Sequence, residues 1–272
     1  MAREYHLHLI SDATGETLNT VAKAVCAQFD GVTAREHIYS LVRSDRQLRR
    51  AVEHIGANPG IVFFTLVNQV LRQVLEAECA RLGVPCVSIL DRAVETMGKF
   101  LGAEETHRPG GQHEMDSRYL ERVEALNFAI QHDDGQNLPT LADADVILVG
   151  VSRSSKTPTC IYLAIRGVRA ANIPVVPGVD LPEHLFALKK PLFVGLWLTA
   201  ERLLQIRRNR LITMGETKSS DYVDEDAIRG EIALTRRMFE RYEWPTIDVS
   251  RRSIEETAAA ILNLLADRET VP

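Results

Sequence analysis

An apolar tetrad, Val146-Ile147-Leu148-Val149, runs directly into Gly150-Val151-Ser152-Arg153-Ser154-Ser155-Lys156-Thr157 and then into a stretch with helical spacing. That order follows the phosphate-loop template G-x-x-x-x-G-K-[ST] at Gly150, Lys156 and Thr157, with Ser155 where the second glycine usually stands. The chemistry of such a loop is anion capture. Backbone N–H groups surround a phosphate at the positive end of a helix, the lysine adds a point charge, and Thr157 offers its hydroxyl to Mg²⁺. Ser155 is expected to serve provided its backbone stays out of the left-handed region. Arg153 supplies a planar fork suited to a second phosphate, and Pro158 fits the first helical turn. The competing reading is a plain helix cap, with Ser154, Ser155 and Thr157 satisfying end groups and Lys156 in solvent. The complete order of strand, glycine, lysine-threonine and helix favours phosphate.

Upstream, His132-Asp133-Asp134-Gly135 brings a histidine and two carboxylates to the end of an apparent helix. Such groups take a proton from a reacting hydroxyl, and adjacent carboxylates also suit Mg²⁺. The alternative is a solvated C-terminal turn with Gly135 as its left-handed residue. Ser11-Asp12-Ala13-Thr14-Gly15-Glu16-Thr17 offers a glycine and three hydroxyls at another strand–helix junction, without a lysine, and reads equally as a phosphate contact or a capped turn. His107, Arg108 and His113 lie in a polar, turn-rich stretch and suit phosphate or partner contact better than metal. Asp180 follows a run broken by two prolines and a glycine and is left out of the catalytic set. Arg202, Arg207, Arg208 and Arg210 read as a solvated helix face.

These groups need a scaffold, and the hydropathy pattern describes one. Strands are expected at 5–10, 36–42, 60–66 and 84–90, separated by helices at 17–29, 44–54 and 67–82. A helix at 119–130 leads to a strand within 141–150, a helix at 157–171, strands at 173–176 and 192–198, and a helix at 199–209. A charged helix at 223–242, a strand at 246–249 and a helix at 253–266 complete the series. Single helices between strands imply parallel sheets with right-handed crossovers. The fold class is therefore α/β with two parallel-sheet units, the second a P-loop nucleotide-binding domain. The expected divisions are 1–102, a connecting loop and helix at 103–140, and 141–272. No internal repeat is visible.

The 272 residues are 45% hydrophobic and 25% charged, with 32 Lys+Arg against 37 Asp+Glu, which excludes disorder and gives no basic field for nucleic acid or anionic membranes. Neither a secretory leader nor a membrane span is apparent. Cys26, Cys79, Cys86 and Cys160 lack zinc spacing and are expected to be buried thiols of a reducing compartment, so a cytoplasmic location is expected.

The segments Leu9–Thr17, His132–Gly135 and Gly150–Thr159 resemble the pyruvate, phosphate dikinase regulatory protein family. The likeness continues through Ile161–Ala164 and Asn172–Gly178 and covers nearly the whole chain. The resemblance implies a bifunctional enzyme: an ADP-dependent kinase that inactivates the dikinase by phosphorylating a threonine, and a phosphorylase that uses inorganic phosphate to remove that group as pyrophosphate. It implies an ADP-binding loop at Gly150, Val151, Ser152, Arg153, Ser154, Ser155, Lys156 and Thr157, and the loop template adds Mg²⁺ on Thr157. Lys156, Asp133 and Asp134 are the expected catalytic groups, with His132 less favoured. The dikinase is the expected partner, and a homodimer is left open. A sister branch acting on phosphoenolpyruvate synthase tends to carry glycine in place of Ser155, which favours the dikinase branch. A conventional ATP- or GTP-dependent kinase and a nucleotide-sensing module docking through the helix near Arg207 remain the alternatives.

Overall fold

The computed structural model describes residues 3–106, 117–179, 181–214 and 221–270. The chain divides into two compact units, Met1–Glu114 and Met115–Pro272.

In the first unit, β1 (Arg3–Ser11), β2 (Val32–Tyr39), β3 (Gly60–Thr65) and β4 (Cys86–Ser88) form a parallel sheet of order β2-β1-β3-β4. Helices α1 (Glu16–Cys26), α2 (Asp45–Ala57), α3 (Gln69–Leu82) and α4 (Asp91–Leu101) complete it. Alternate strand residues serve opposite faces. Leu7 and Leu9 pack with Leu18 and Ala22 of α1, while Ile10, Val62 and Phe64 meet Leu48, Val52 and Ile55 of α2 and Leu71 and Leu75 of α3. The Ser44 and Asn68 side chains accept from Gln47 N and Leu71 N and so start α2 and α3. β2 begins and ends earlier than its expected 36–42. Eight residues, Val32–Tyr39, are needed to pair with Arg3–Ile10, and beyond them Leu41 turns left-handed at φ 58°.

The second unit repeats this plan with β5 (Val146–Gly150), β6 (Ala170–Pro174), β7 (Leu192–Trp197) and β8 (Thr246–Asp248), all parallel, in the order β6-β5-β7-β8. In each unit the first strand is central, the second lies on one side and the third and fourth on the other, a correspondence with no visible trace in the residues. Its helices are α5 (Ser117–Gln131), α6 (Lys156–Ala164), α7 (Ala200–Met214), α8 (Glu225–Arg241) and α9 (Ile254–Thr270). The helix expected at 157–171 is shorter. Gly167, at φ 85°, turns the chain so that Ala170 and Ala171 pair with Val146 and Ile147 in the core. α5 belongs to this unit and contributes Ala125 and Ala129 to its core.

Cys79 and Cys160 are buried, whereas Cys26 and Cys86, expected buried, are half-buried because each stands near an edge of its packing layer; all four are free thiols. Among the described residues no helix is long and apolar enough to cross a membrane.

Beside α2, His6, His8, His37 and Tyr39 share one face of the first sheet. His6 Nδ1 lies 2.8 Å from His37 Nε2 and the His8 ring stacks on His37 at 4.7 Å. His8 Nε2 donates to the Asn58 carbonyl at 2.8 Å, leaving Nδ1 to accept from Tyr39 at 3.1 Å, the arrangement of a neutral ring. Burial holds both His8 and His37 below the ordinary 6.5. For His8 the Asn58 carbonyl opposes that shift and the neighbouring His37, His6 and His54 add to it; for His37 the neighbours are His6, Arg35 and His54. The unfolded chain therefore binds protons more readily than the folded one, so stability is full above the unfolded value and is lost as pH falls through the folded one. Melts by circular dichroism should show the protein losing stability on acidification from about pH 7 to about pH 5, with a shallower loss in His8→Gln. An unchanged slope in that variant would refute the assignment.

Candidate active site

All five residues of β5 are buried, and the strand ends between its neighbours β6 and β7, where the two crossovers diverge. Open parallel sheets bind ligands at this point, beyond the carboxyl ends of the strands. Gly150 is required there: a Cβ would come within 2.4 Å of the Leu196 carbonyl oxygen and 2.8 Å of Ser154 Oγ. The loop then closes tightly. Ser154, fully buried, donates its hydroxyl to the Val151 carbonyl at 2.8 Å.

Arg153 and Ser155 both adopt positive φ, 73° and 61°. The condition set for Ser155, a backbone outside the left-handed region, is not met, so the serine carries strain that the template's glycine would not. The chain must reverse between a strand end pinned by Gly150 and the first turn of α6, and the left-handed step accomplishes this. Such conformations cost a side chain about 1–2 kcal/mol, and they persist where the surroundings enforce them. Ser155→Gly should remove that strain against a smaller cost from the raised entropy of the unfolded chain, a net gain of about 0.5–1 kcal/mol. A thermal melt should show Tm raised by about 1–4 °C; a lower Tm would mean that the serine hydroxyl outweighs the strain.

Lys156 is not in solvent. Its side chain is 5% exposed, and Nζ donates to the carbonyls of Gly150 at 3.0 Å and Val151 at 2.9 Å. Burial lowers its pKa from 10.5 to about 8, against the pull of Asp134 and Asp133. The cation is thus held beneath the loop with two carboxylates nearby.

Thr157 Oγ1 donates to Asp133 Oδ1 at 2.8 Å. The same oxygen accepts from Asn172 Nδ2 at 2.5 Å, while Asn172 Oδ1 receives the Asp134 N–H at 3.1 Å and Asn172 N donates to the His132 carbonyl at 3.2 Å. Asn172, fully buried in β6, therefore fastens the 132–135 turn beside the loop. Asp134 is left-handed at φ 50° and exposed, and its carboxylate accepts no hydrogen bond among the described residues. His132 is 2% exposed. Its Nδ1 donates to the Phe128 carbonyl at 2.8 Å, its Nε2 meets Thr140 Oγ1 at 2.7 Å, and its ring stacks on Phe128, so both nitrogens serve the turn.

Ser11–Thr17 belongs to the first unit. Asp12, buried, accepts from Val67 N at 2.7 Å, Arg43 Nε donates to the Asp12 carbonyl at 2.7 Å, and Gly15 is left-handed at φ 82°. His107, Arg108, His113 and Asp180 lie outside the described residues. Arg207 corrects the expectation of a solvated basic face: it is 2% exposed and ion-paired with Glu231 at 2.6 Å, because α8 packs over that side of α7, whereas Arg202, Arg208 and Arg210 are exposed.

Sequence reasoning missed the roles of Asn172, Tyr222, Arg207 and Glu231. Only Asn172 carried a local signal, as a lone amide inside an otherwise apolar strand, where a buried polar group must find partners.

Thr157, Asp133 and Asp134 present a hydroxyl and carboxylates, hard oxygen donors of the kind Mg²⁺ takes together with water and phosphate oxygens, so these residues fit that ion. Fold and site together define an α/β protein of two parallel sheets, with a buried lysine and two aspartates at the carboxyl end of the second sheet's central strand. The chain belongs to the Kinase/pyrophosphorylase family, which it matches over residues 7–262. It is 57% identical over 265 residues to a pyruvate, phosphate dikinase regulatory protein of Caulobacter vibrioides, covering 97% of this chain and 84% of that one. Proteins of the same name from Hyphomonas neptunium and Maricaulis maris are 53% and 49% identical, covering 97% and 98% of this chain and 95% of each relative. A solved LacI transcriptional regulator from Lactobacillus brevis aligns over 90% of this chain and 97% of its own at 12% identity and a TM-score of 0.19, too slight a likeness to bear on fold or function.

Proposed function

We propose that this chain regulates pyruvate, phosphate dikinase by two opposed reactions. In one, the terminal phosphoryl group of ADP passes to a threonine hydroxyl of the dikinase, leaving AMP. In the other, inorganic phosphate attacks the phosphothreonine, restoring the hydroxyl and releasing pyrophosphate. The reading rests on family membership and on the names of the relatives. The observation that carries it is the Gly150–Thr157 loop, with Lys156 enclosed beneath it and Thr157 bonded to Asp133.

Phosphoryl transfer needs positioning and charge neutralisation more than covalent catalysis. The loop amides and Lys156 take the transferring phosphate, and the two nitrogens of Arg153 left over from its contact with Tyr222 approach it from the exposed side. Thr157 and Asp133 would hold Mg²⁺, which supplies charge neutralisation when bound. Asp133, tied by Thr157 and Asn172, is committed to position. Asp134, exposed beside it, takes the proton of the threonine hydroxyl. His132 supports the turn through both nitrogens.

The test is incubation with ADP, Mg²⁺ and purified dikinase, followed by mass spectrometry of the dikinase threonines and assay of AMP. Parallel reactions replace ADP by ATP and the dikinase by phosphoenolpyruvate synthase. Threonine phosphorylation with stoichiometric AMP is expected. Transfer from ATP alone would replace this reading with a conventional kinase, and modification of the synthase alone would move the chain to the other branch.

A further inference from the structure

Arg207, buried in α7, is held at both ends of its fork. Nη1 donates to Glu231 Oε1 at 3.0 Å and to the Tyr222 carbonyl at 3.2 Å, and Nη2 donates to Glu231 Oε2 at 2.6 Å and to the Ser152 carbonyl at 3.4 Å. Its guanidinium also lies 4.6 Å over the Tyr222 ring. One side chain thus joins α8, Tyr222 two residues before the Asp224 cap of α8, and the phosphate loop itself. A buried ion pair of this kind is seldom a means of stability, because desolvating both charges offsets their attraction. What it does supply is a fixed geometry.

The geometry continues outward. The Tyr222 hydroxyl accepts from Arg153 Nε at 3.2 Å. An arginine bound through Nε is restrained in direction while its two Nη nitrogens stay available, and no described residue takes them. That is the disposition a guanidinium needs to meet a phosphate with two parallel hydrogen bonds. Arg153 also sits at positive φ, so its backbone is already set aside from an ordinary helix start.

We propose that Tyr222, seated by Arg207 and Glu231, is a positioning residue that aims Arg153 at the terminal phosphate of a bound nucleoside diphosphate. The inference rests on the reading of the loop as a nucleotide site. It deepens that reading by assigning selectivity for a diphosphate over a monophosphate to residues distant in the chain. Tyr222 touches no substrate; it acts through Arg153 alone.

Calorimetric titrations of ADP and AMP into the full chain, with Mg²⁺, distinguish this role from a structural one. Tyr222→Phe keeps the ring under Arg207 and removes only the hydroxyl. It should weaken ADP about five-fold, the cost of ordering one mobile side chain on binding, and leave AMP close to wild type. In an Arg153→Ala background the same substitution should cost nothing further, since the two residues form one interaction. Arg207→Lys keeps the charge but loses the fork, and should give the same ADP-selective loss, again cancelled by Arg153→Ala. Wild-type ADP affinity in Tyr222→Phe, equal losses for ADP and AMP, or additive losses in the double variants would overturn the proposal. Arg153→Ala with undiminished ADP binding would also overturn it while leaving the loop intact as a site. A wild-type chain that binds no ADP would instead remove the nucleotide reading on which it stands.

Discussion

Lys156→Ala is expected to lower both phosphorylation of the target threonine and its phosphate-dependent removal, each by on the order of 10²-fold or more. The reason is where the ammonium lies. It is enclosed at 5% exposure, held by the Gly150 and Val151 carbonyls, and titrates at about 8 because burial disfavours its charge. A phosphate entering the loop gives that charge a stronger partner than two carbonyls, in surroundings where water screens little. In the proposed function, ADP in one direction and inorganic phosphate in the other would draw on the same cation, so both activities should fall together. Lys156→Arg should not rescue them, because the planar fork does not fit the space of a point charge. The alanine variant also removes one of the donors to each of two carbonyls, which keep Ser154 and the Val175 N–H, so its melt must accompany the rates. Loss of a single activity in a folded variant would establish two separate anion sites.

Asp134→Asn should reduce the rate of threonine phosphorylation by about 10²–10⁴-fold, the range for a general base, while nucleotide affinity changes little. Asn preserves the shape of the turn, and the left-handed backbone of Asp134 tolerates it. Asp133→Asn should behave differently. Its oxygen can still accept from Thr157 and Asn172, so the turn survives, but the lost charge should raise the Mg²⁺ concentration needed for half-maximal rate. Single-turnover rates across a Mg²⁺ titration separate the two. Normal transfer by both variants would exclude this pair from proton transfer and metal binding alike.

Much of this arrangement was legible in the residues. Within 5–90 and 141–266 apolar strands are separated by amphipathic helices, and that pattern implies parallel sheets. The loop was legible because every part of it is contiguous: an apolar strand, Gly150, Lys156-Thr157 and a helix follow one another without interruption. The 132–135 turn was legible as residue types, but not in its division of labour. Nothing local distinguishes Asp133 from Asp134, and the distinction comes from Asn172, which lies 39 positions from Asp133 and reaches it because the 132–135 turn packs against β6.

What the sequence determined by itself is thus local: which segments extend, which coil, and where a glycine-to-lysine loop joins a strand to a helix. Tertiary structure decided which charges are buried and what each one holds. Arg207 and its exposed neighbours share one helix and one composition, and only the packing of α8 on α7 gives Arg207 its carboxylate partner and a carbonyl of the loop 55 residues away. The left-handed step at Ser155 has the same origin, since the close approach of the Leu196 carbonyl to Gly150 restricts how the chain can leave β5. Propensity and periodicity report the free energy of a segment with itself. Burial of a charge, or strain at a single residue, is set by groups that meet only when the sheet has formed.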